Sequence, residues 1–348
     1  MRTRDFLASF IVLLLSFPLQ AEVILDYTHD SYFATNATAR AAVEAAVADV
    51  NAVLNFAGTA TTDRVTVTAP GGSFVELDFE FEFTNPTTGN GPTITPIAAL
   101  AANEIRVYAG VRHLDGVARG AGTPGAAVYS GVVVSAGPAD LAVAVASANA
   151  QAAAVWGRGD GPVVSTLEGA FGGDDFNVGP TVASVSFDSD TNDDGVTDFD
   201  NWHFDHTTAV EAGKRDLYSV ALTEVLTSIG FGTSISYNDL VQGNDWTGAN
   251  VIALNGTGSG IIDSNGTRIA NNVLSTSIVD GSVQEVALSS DGPELGTRTF
   301  LTDLDVAFLQ DIGFANASAT TAVPEPSSLA LMLLAGVVGL RRQRRASK

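Results

Sequence analysis

The order of apolar and polar positions divides the chain into helical and extended stretches. Across 36–56, "NATARAAVEAAVADVNAVLNF", Val43, Ala46, Val47, Val50, Val53 and Leu54 recur at helical intervals and predict a long amphipathic helix. Positions 63–69, "DRVTVTA", and 73–83, "SFVELDFEFEF", alternate strictly and predict half-buried strands joined by a turn at Gly71-Gly72. Further strands are predicted over 23–33, 103–114 and 180–188, and a second helix over 139–157. The Gly-rich stretch 115–135, with "RGAGTPGAAVYSG", predicts a loop, and 188–201 an acidic loop. "DLYSVALTEVLTSIGFG", 216–232, predicts a third helix with Asp216 as N-cap and Gly230-Phe231-Gly232 as its stop. From Phe231 to Asp291 the composition predicts loops with short strands. A closing helix within 299–314 has Thr302 as N-cap, Asp305 at the third position and Gly313 as its end. Helices and strands mix without strict alternation, which predicts an α+β single domain, a mixed twisted sheet packed on helices.

Both ends depart from this pattern. Residues 1–21 place Arg2 and Arg4 before a short apolar run and end at Leu19-Gln20-Ala21, the pattern of a secretory signal peptide rather than a first membrane span. A small polar linker, 315–322, precedes residues 323–348. That tail carries Pro324-Glu325-Pro326, an apolar run from Leu329 to Leu340 and a cluster of arginines. It resembles the PEP-CTERM sorting signal of Gram-negative bacteria. The resemblance implies export, a short hydrophobic helix that anchors transiently in the membrane, and cleavage by an exosortase-type enzyme. A plain C-terminal membrane anchor is the alternative.

Charge narrows the partners. The chain has 17 basic and 39 acidic residues. Without the seven basic and two acidic residues of the two end segments, 10 basic and 37 acidic residues remain, a net of −27. No basic footprint is available for nucleic acid, and an anionic membrane surface would repel the domain. The absence of cysteine excludes disulfides and thiolate metal sites.

Candidate chemistry centres on the third helix. Thr223 and Thr227 lie four apart, on one helical face, around Glu224. With histidines at both positions the segment would read H-E-x-x-H, in which two imidazoles hold zinc and the glutamate takes a proton from the metal-bound water. An ordinary helix with a chance T-E-x-x-T is the alternative. The segments "NWHF" (201–204), "DLYSVALTEVLTSIGFG", "WTGANVIAL" (246–254) and "GTRTFLTDLDVAFLQDIGF" (296–314) together resemble exported metzincin-type zinc metalloproteases. The likeness runs from about Glu22 to Phe314, with the equivalent of the zinc helix at 216–230. It implies a metalloprotease-like domain at 22–314. It also implies that Thr223, Thr227 and Arg268 stand where the zinc ligands would be, and Ser289 or a neighbour where a methionine turn would be. The two methionines, Met1 and Met332, both fall in the end segments. Glu224 is then vestigial, no zinc is expected, and Arg268 is positioned to pair with it.

Two other groups bear on metals. In "FDSDTNDDGVTDFDN" (187–201), Asp190, Asn192, Asp194 and Asp198 follow the spacing of an EF-hand loop, and Asp188 is a further candidate oxygen. Calcium is the metal such ligands suit, and a solvated acidic turn is the alternative. His203 and His206 lie three apart in "WHFDH" and could bind a metal, but the preferred reading is a structural His203 in "NWHF" and a His206 exposed on a loop. The functional expectation is an exported, non-catalytic binding or structural protein associated with extracellular polysaccharide and biofilm material. The alternative is a metal-dependent peptidase with a non-standard site.

Overall fold

The computed structural model describes residues 22–316, except 56–57, 69–71, 73, 97–99, 116–118, 136–139, 160 and 192–193. In chain order the principal elements are β1 (Glu22–Asp26), α1 (Ala37–Val53), β2 (Arg64–Thr68), β3 (Phe74–Phe83), β4 (Thr93–Pro96), β5 (Glu104–Arg112), β6 (Gly120–Pro124), β7 (Ala126–Ser135), α2 (Leu141–Trp156), β8 (Val182–Asp188), α3 (Leu217–Ser228), α4 (Ala249–Asn255) and α5 (Asp303–Asp311). The architecture is mixed α+β, with several sheets and helices.

A four-stranded central sheet has the order β1-β5-β8-β6. β1 and β8 both run parallel to β5, with Val23 opposite Ile105 and Val185 opposite Ala109. The edge strand β6 is antiparallel to β8, with Gly122 opposite Val185. Because side chains alternate across a strand, Ile105, Val107 and Ala109 of β5 and Ala183, Val185 and Phe187 of β8 share one face. There they join a buried cluster with Val43, Val47 and Val50 of α1 and Val220, Ala221, Leu222 and Val225 of α3. Tyr108 and Val182 belong to a second cluster, formed with Phe79, Phe81 and Phe83 of β3 and Ala148, Ala152 and Trp156 of α2.

The second sheet is built on β3, which pairs β2 and β4 along one edge and β7 along the other, all antiparallel. Its alternation is realised as predicted. Val75, Leu77, Phe79, Phe81 and Phe83 are buried, while Phe74, Glu76, Asp78, Glu80 and Glu82 are half-buried. Burial of each such apolar side chain contributes about 1.5–3 kcal/mol.

The Gly-rich stretch predicted as a loop is instead two strands, β6 and β7. The chain leaves the central sheet at Gly125 and enters the second sheet one residue later. A side chain at Gly125 is excluded, since its Cβ would lie 2.6 Å from Val182 Cγ2 and 2.7 Å from the Glu82 carbonyl oxygen. Pairing with β8 and β3 makes these residues extended despite their low strand propensity.

The closing helix follows its sequence signals closely. Thr302 caps α5, the hydroxyl of Thr302 accepts from the Asp305 amide, and the Asp305 carboxylate accepts from the Thr302 amide at 2.9 Å. Among the described residues no helix is long and apolar enough to cross a membrane.

Candidate functional site

Every residue of α3 is buried, so each of its polar side chains needs an internal partner. At the N-terminus the Asp216 carboxylate accepts from the Ser219 amide (3.1 Å) and hydroxyl (2.7 Å). Arg298 forks onto the same carboxylate at 2.7 and 3.0 Å and also donates to the carbonyls of Asp205, His206 and Thr208. Trp202 donates its indole N–H to the Asp188 carbonyl at 3.0 Å. The Asp311 carboxylate accepts from the Trp246 indole and from the amides of Asn250 and Val251. The quoted sequence motifs thus meet as fastening points around α3 and α5.

The third turn of α3 carries Glu224 to the foot of a cavity of about 250 Å³, lined in part by Arg119, Arg215, Thr223, Glu224, Arg268 and Ser289. Glu224 Oε2 accepts the Gly122 amide of β6 at 2.7 Å, and Oε1 lies 3.5 Å from Arg268 Nη2. The helix and the strand touch here. A Cβ on Gly122 would fall 2.1 Å from the Glu224 carbonyl oxygen, so only glycine permits this approach. Burial pushes the Glu224 carboxyl above its ordinary value, and the pull of Arg268 and the Gly122 amide is the smaller effect.

Thr223 donates to the Ser219 carbonyl at 3.1 Å and to the Ala287 carbonyl at 2.7 Å. Thr227 donates to the Thr223 carbonyl at 2.9 Å and is not part of the cavity lining. The sequence-predicted residues Thr223, Glu224, Arg268 and Ser289 are therefore brought together, and Thr227 lies one turn beyond. The floor beneath them is the 286–290 turn. Its Ala287 and Leu288 amides donate to the Asp305 carboxylate at 3.1 and 3.2 Å, and Ile269 is bonded to it through Leu288 and Ser290. Burial pushes the Asp305 carboxyl up to about 6, against the pull of its donors.

The donor set around Glu224 does not fit zinc. Both threonine hydroxyls donate into backbone carbonyls, and the charged group beside the Glu224 carboxylate is the Arg268 guanidinium, which repels a cation. His203 is buried with Nε2 2.8 Å from the Asp205 carbonyl, and His206 offers its own carbonyl to Arg298. Both belong to the fastening of the 203–208 turn, and His203 lines a different cavity from Glu224.

The acidic loop does bring carboxylates together. Ligand oxygens of Asp190, Asp194 and Asp198 lie within 4.8 Å of one another, the one such grouping of three or more His, Cys, Asp or Glu among the described residues. A backbone bridge between Asp190 and Asp198 closes the loop, and the Gly195 amide donates to Asp190 at 2.8 Å. Carboxylate oxygens are the donor type that calcium takes, and these three supply half or fewer of the roughly six to eight it coordinates. Asp188 is directed elsewhere, accepting from Arg119 Nη1 at 3.0 Å and from the Leu114 amide at 3.1 Å. Asn192 lies outside the described residues, as do Pro324, Glu325 and Pro326.

Arg119 and Arg215 were not singled out in the sequence. Their signal was scarcity, since few basic residues remain in so acidic a domain and three of them line one cavity.

Among known families, residues 322–345 match the PEP-CTERM protein-sorting motif. The chain therefore carries the signal of an exported protein that is held transiently in the membrane by its C-terminal segment and processed by an exosortase-type enzyme. No curated protein and no solved structure matches the chain, so the likeness to metzincins rests on the sequence motifs alone.

Proposed function

We propose that the exported domain is a metzincin-type metalloprotease scaffold that has lost its zinc and acts by binding rather than by hydrolysis. Its setting is the Gram-negative cell envelope and the extracellular polysaccharide or biofilm material around it. The observation that carries this reading is the state of Glu224, whose carboxylate is bound by the Gly122 amide and faces Arg268. A glutamate so engaged, with no imidazole beside it, has no activated water from which to take a proton. The mixed sheet packed on helices and the fastening of the motif segments support the scaffold part of the reading. In the same reading the Asp190–Asp198 loop holds calcium and pins the strand end at Asp188.

Zinc content and peptidase activity of the exported chain test the proposal together. The expected result is no stoichiometric zinc and no cleavage of peptide libraries. A second arm substitutes Thr223→His, Thr227→His and Arg268→His in one chain. Recovery of one tight zinc per chain supports a protease scaffold, whereas a folded triple variant that ignores zinc argues against it. Stoichiometric zinc in the unaltered chain would overturn the reading.

A further inference from the structure

The cavity above Glu224 presents a charge pattern that its own contacts leave incomplete. Arg119 is matched by Asp188. Arg215 donates to the Pro293 carbonyl at 2.9 Å and forms no ion pair among the described residues. Arg268 approaches Glu224 at 3.5 Å through Nη2, while its Nη1 is buried with no hydrogen-bond partner. Nη1 has almost no accessible surface, so Arg268 meets the cavity through the rest of its half-buried guanidinium, which the long contact to Glu224 pairs only weakly. The same walls also carry acceptors, Glu224 and Asp291.

We propose that this cavity binds a small hydroxycarboxylate, of the size of one sugar acid. Its carboxylate is held by Arg215 and Arg268, and its hydroxyls donate to Glu224 and Asp291. Guanidinium forks match the planar geometry of a carboxylate. A simple carboxylate or phosphate would leave the acidic walls facing an anion, and a neutral sugar would leave Arg215 without a counter-charge. A ligand carrying both functions satisfies both sets of groups. The volume, about 250 Å³, lies just below the usual range for drug-sized ligands and suits a single ring rather than a peptide strand. Burial and the repulsion of Arg119 push the Arg215 guanidinium downward, the condition an incoming anion reverses. The inference deepens the binding role proposed above by naming the ligand class of the same site.

Calorimetric titration of the exported chain with D-glucuronate tests it, with D-glucose, acetate, glycine and inorganic phosphate as comparison probes. The expected result is one glucuronate per chain, with acetate bound at least tenfold more weakly and glucose not bound. Arg215→Gln should weaken glucuronate at least tenfold. Glucose binding as well as glucuronate, or phosphate or glycine binding more tightly, would overturn the proposal. So would an Arg215→Gln chain that is folded by its thermal melt and binds unchanged. If Arg215→Gln does not fold, Arg268→Gln provides the same comparison, and the ranking of probes on the unaltered chain must hold regardless. A chain that binds glucuronate yet contains zinc and cleaves peptides would overturn the inactive-scaffold reading and leave this one standing. A zinc-free chain that ignores glucuronate would do the reverse.

Discussion

Glu224 and Arg268 hold each other unequally. Glu224 is buried and has a second partner in the Gly122 amide, whereas Arg268 is half-buried and has an unmatched nitrogen. Removing the arginine therefore harms the chain more than neutralising the glutamate. Glu224→Gln should cost less than about 1 kcal/mol, because the amide oxygen still accepts from Gly122 and the charge it leaves unpaired, Arg268, is only half-buried. Arg268→Leu leaves a buried carboxylate without its counter-charge and should cost about 1–3 kcal/mol at neutral pH. Since burial already raises the Glu224 carboxyl, that loss should shrink as pH falls and the group is protonated in the fold. Urea unfolding of both variants at two pH values reads the difference. Asp305 gives a second titration with the same sign. Its carboxyl is near 6 in the folded chain, so the folded state binds the extra proton. Its contribution is fully present below about pH 4 and is lost as pH rises through about 6. Asp305→Asn should flatten the slope of stability over that window while lowering stability overall, because one of the four donors then meets an amide N–H₂.

At the scale of elements, the contact between β6 and α3 is the joint on which the site depends. Gly122→Ala would drive a methyl group into the Glu224 carbonyl, an overlap that neither a strand edge nor a buried helix absorbs. The expected cost is about 3 kcal/mol, together with loss of the Gly122–Glu224 hydrogen bond. Chemical denaturation and the exchange rate of the Gly122 amide measure both. This joint was hidden in the sequence. "GAGTP" has no apolar alternation and two glycines, so local propensity points to a loop, and only pairing with β8 makes it a strand. The strands with strict alternation were predicted correctly because each buries one face, so their pattern had to record it. The caps of α3 and α5 were predicted for a similar reason. Asp216, Thr302 and Asp305 satisfy backbone amides within three residues of themselves, and such chemistry is written locally.

For the whole molecule, the acidic loop at the end of β8 is where the proposed calcium would meet the fold. Asp190, Asp194 and Asp198 converge while Asp188, two residues earlier, turns back to hold Arg119 at the cavity. Calcium bound there should stabilise the domain by roughly 2.7 kcal/mol at a hundredfold excess over its dissociation constant. Thermal melts with calcium and with chelator should differ by several degrees. Asp194→Asn should abolish most of that difference and leave the chelated melt nearly unchanged. Equal melts in calcium and chelator would remove calcium from the account.

The sequence by itself determined the C-terminal sorting signal, the helices and alternating strands, the caps, and the helical register that sets Thr223 beside Glu224. Each of these depends on neighbours within a few residues or on composition. Only the tertiary structure decided that the Gly-rich stretch is two strands and that Asp188 serves Arg119. It alone brought Arg119, Arg215 and Arg268 from three separate segments to one cavity. Long-range convergence of charges leaves no period and no spacing in the chain. It follows from the order of strands in the central sheet and from the closeness with which Gly122 lets α3 approach its edge.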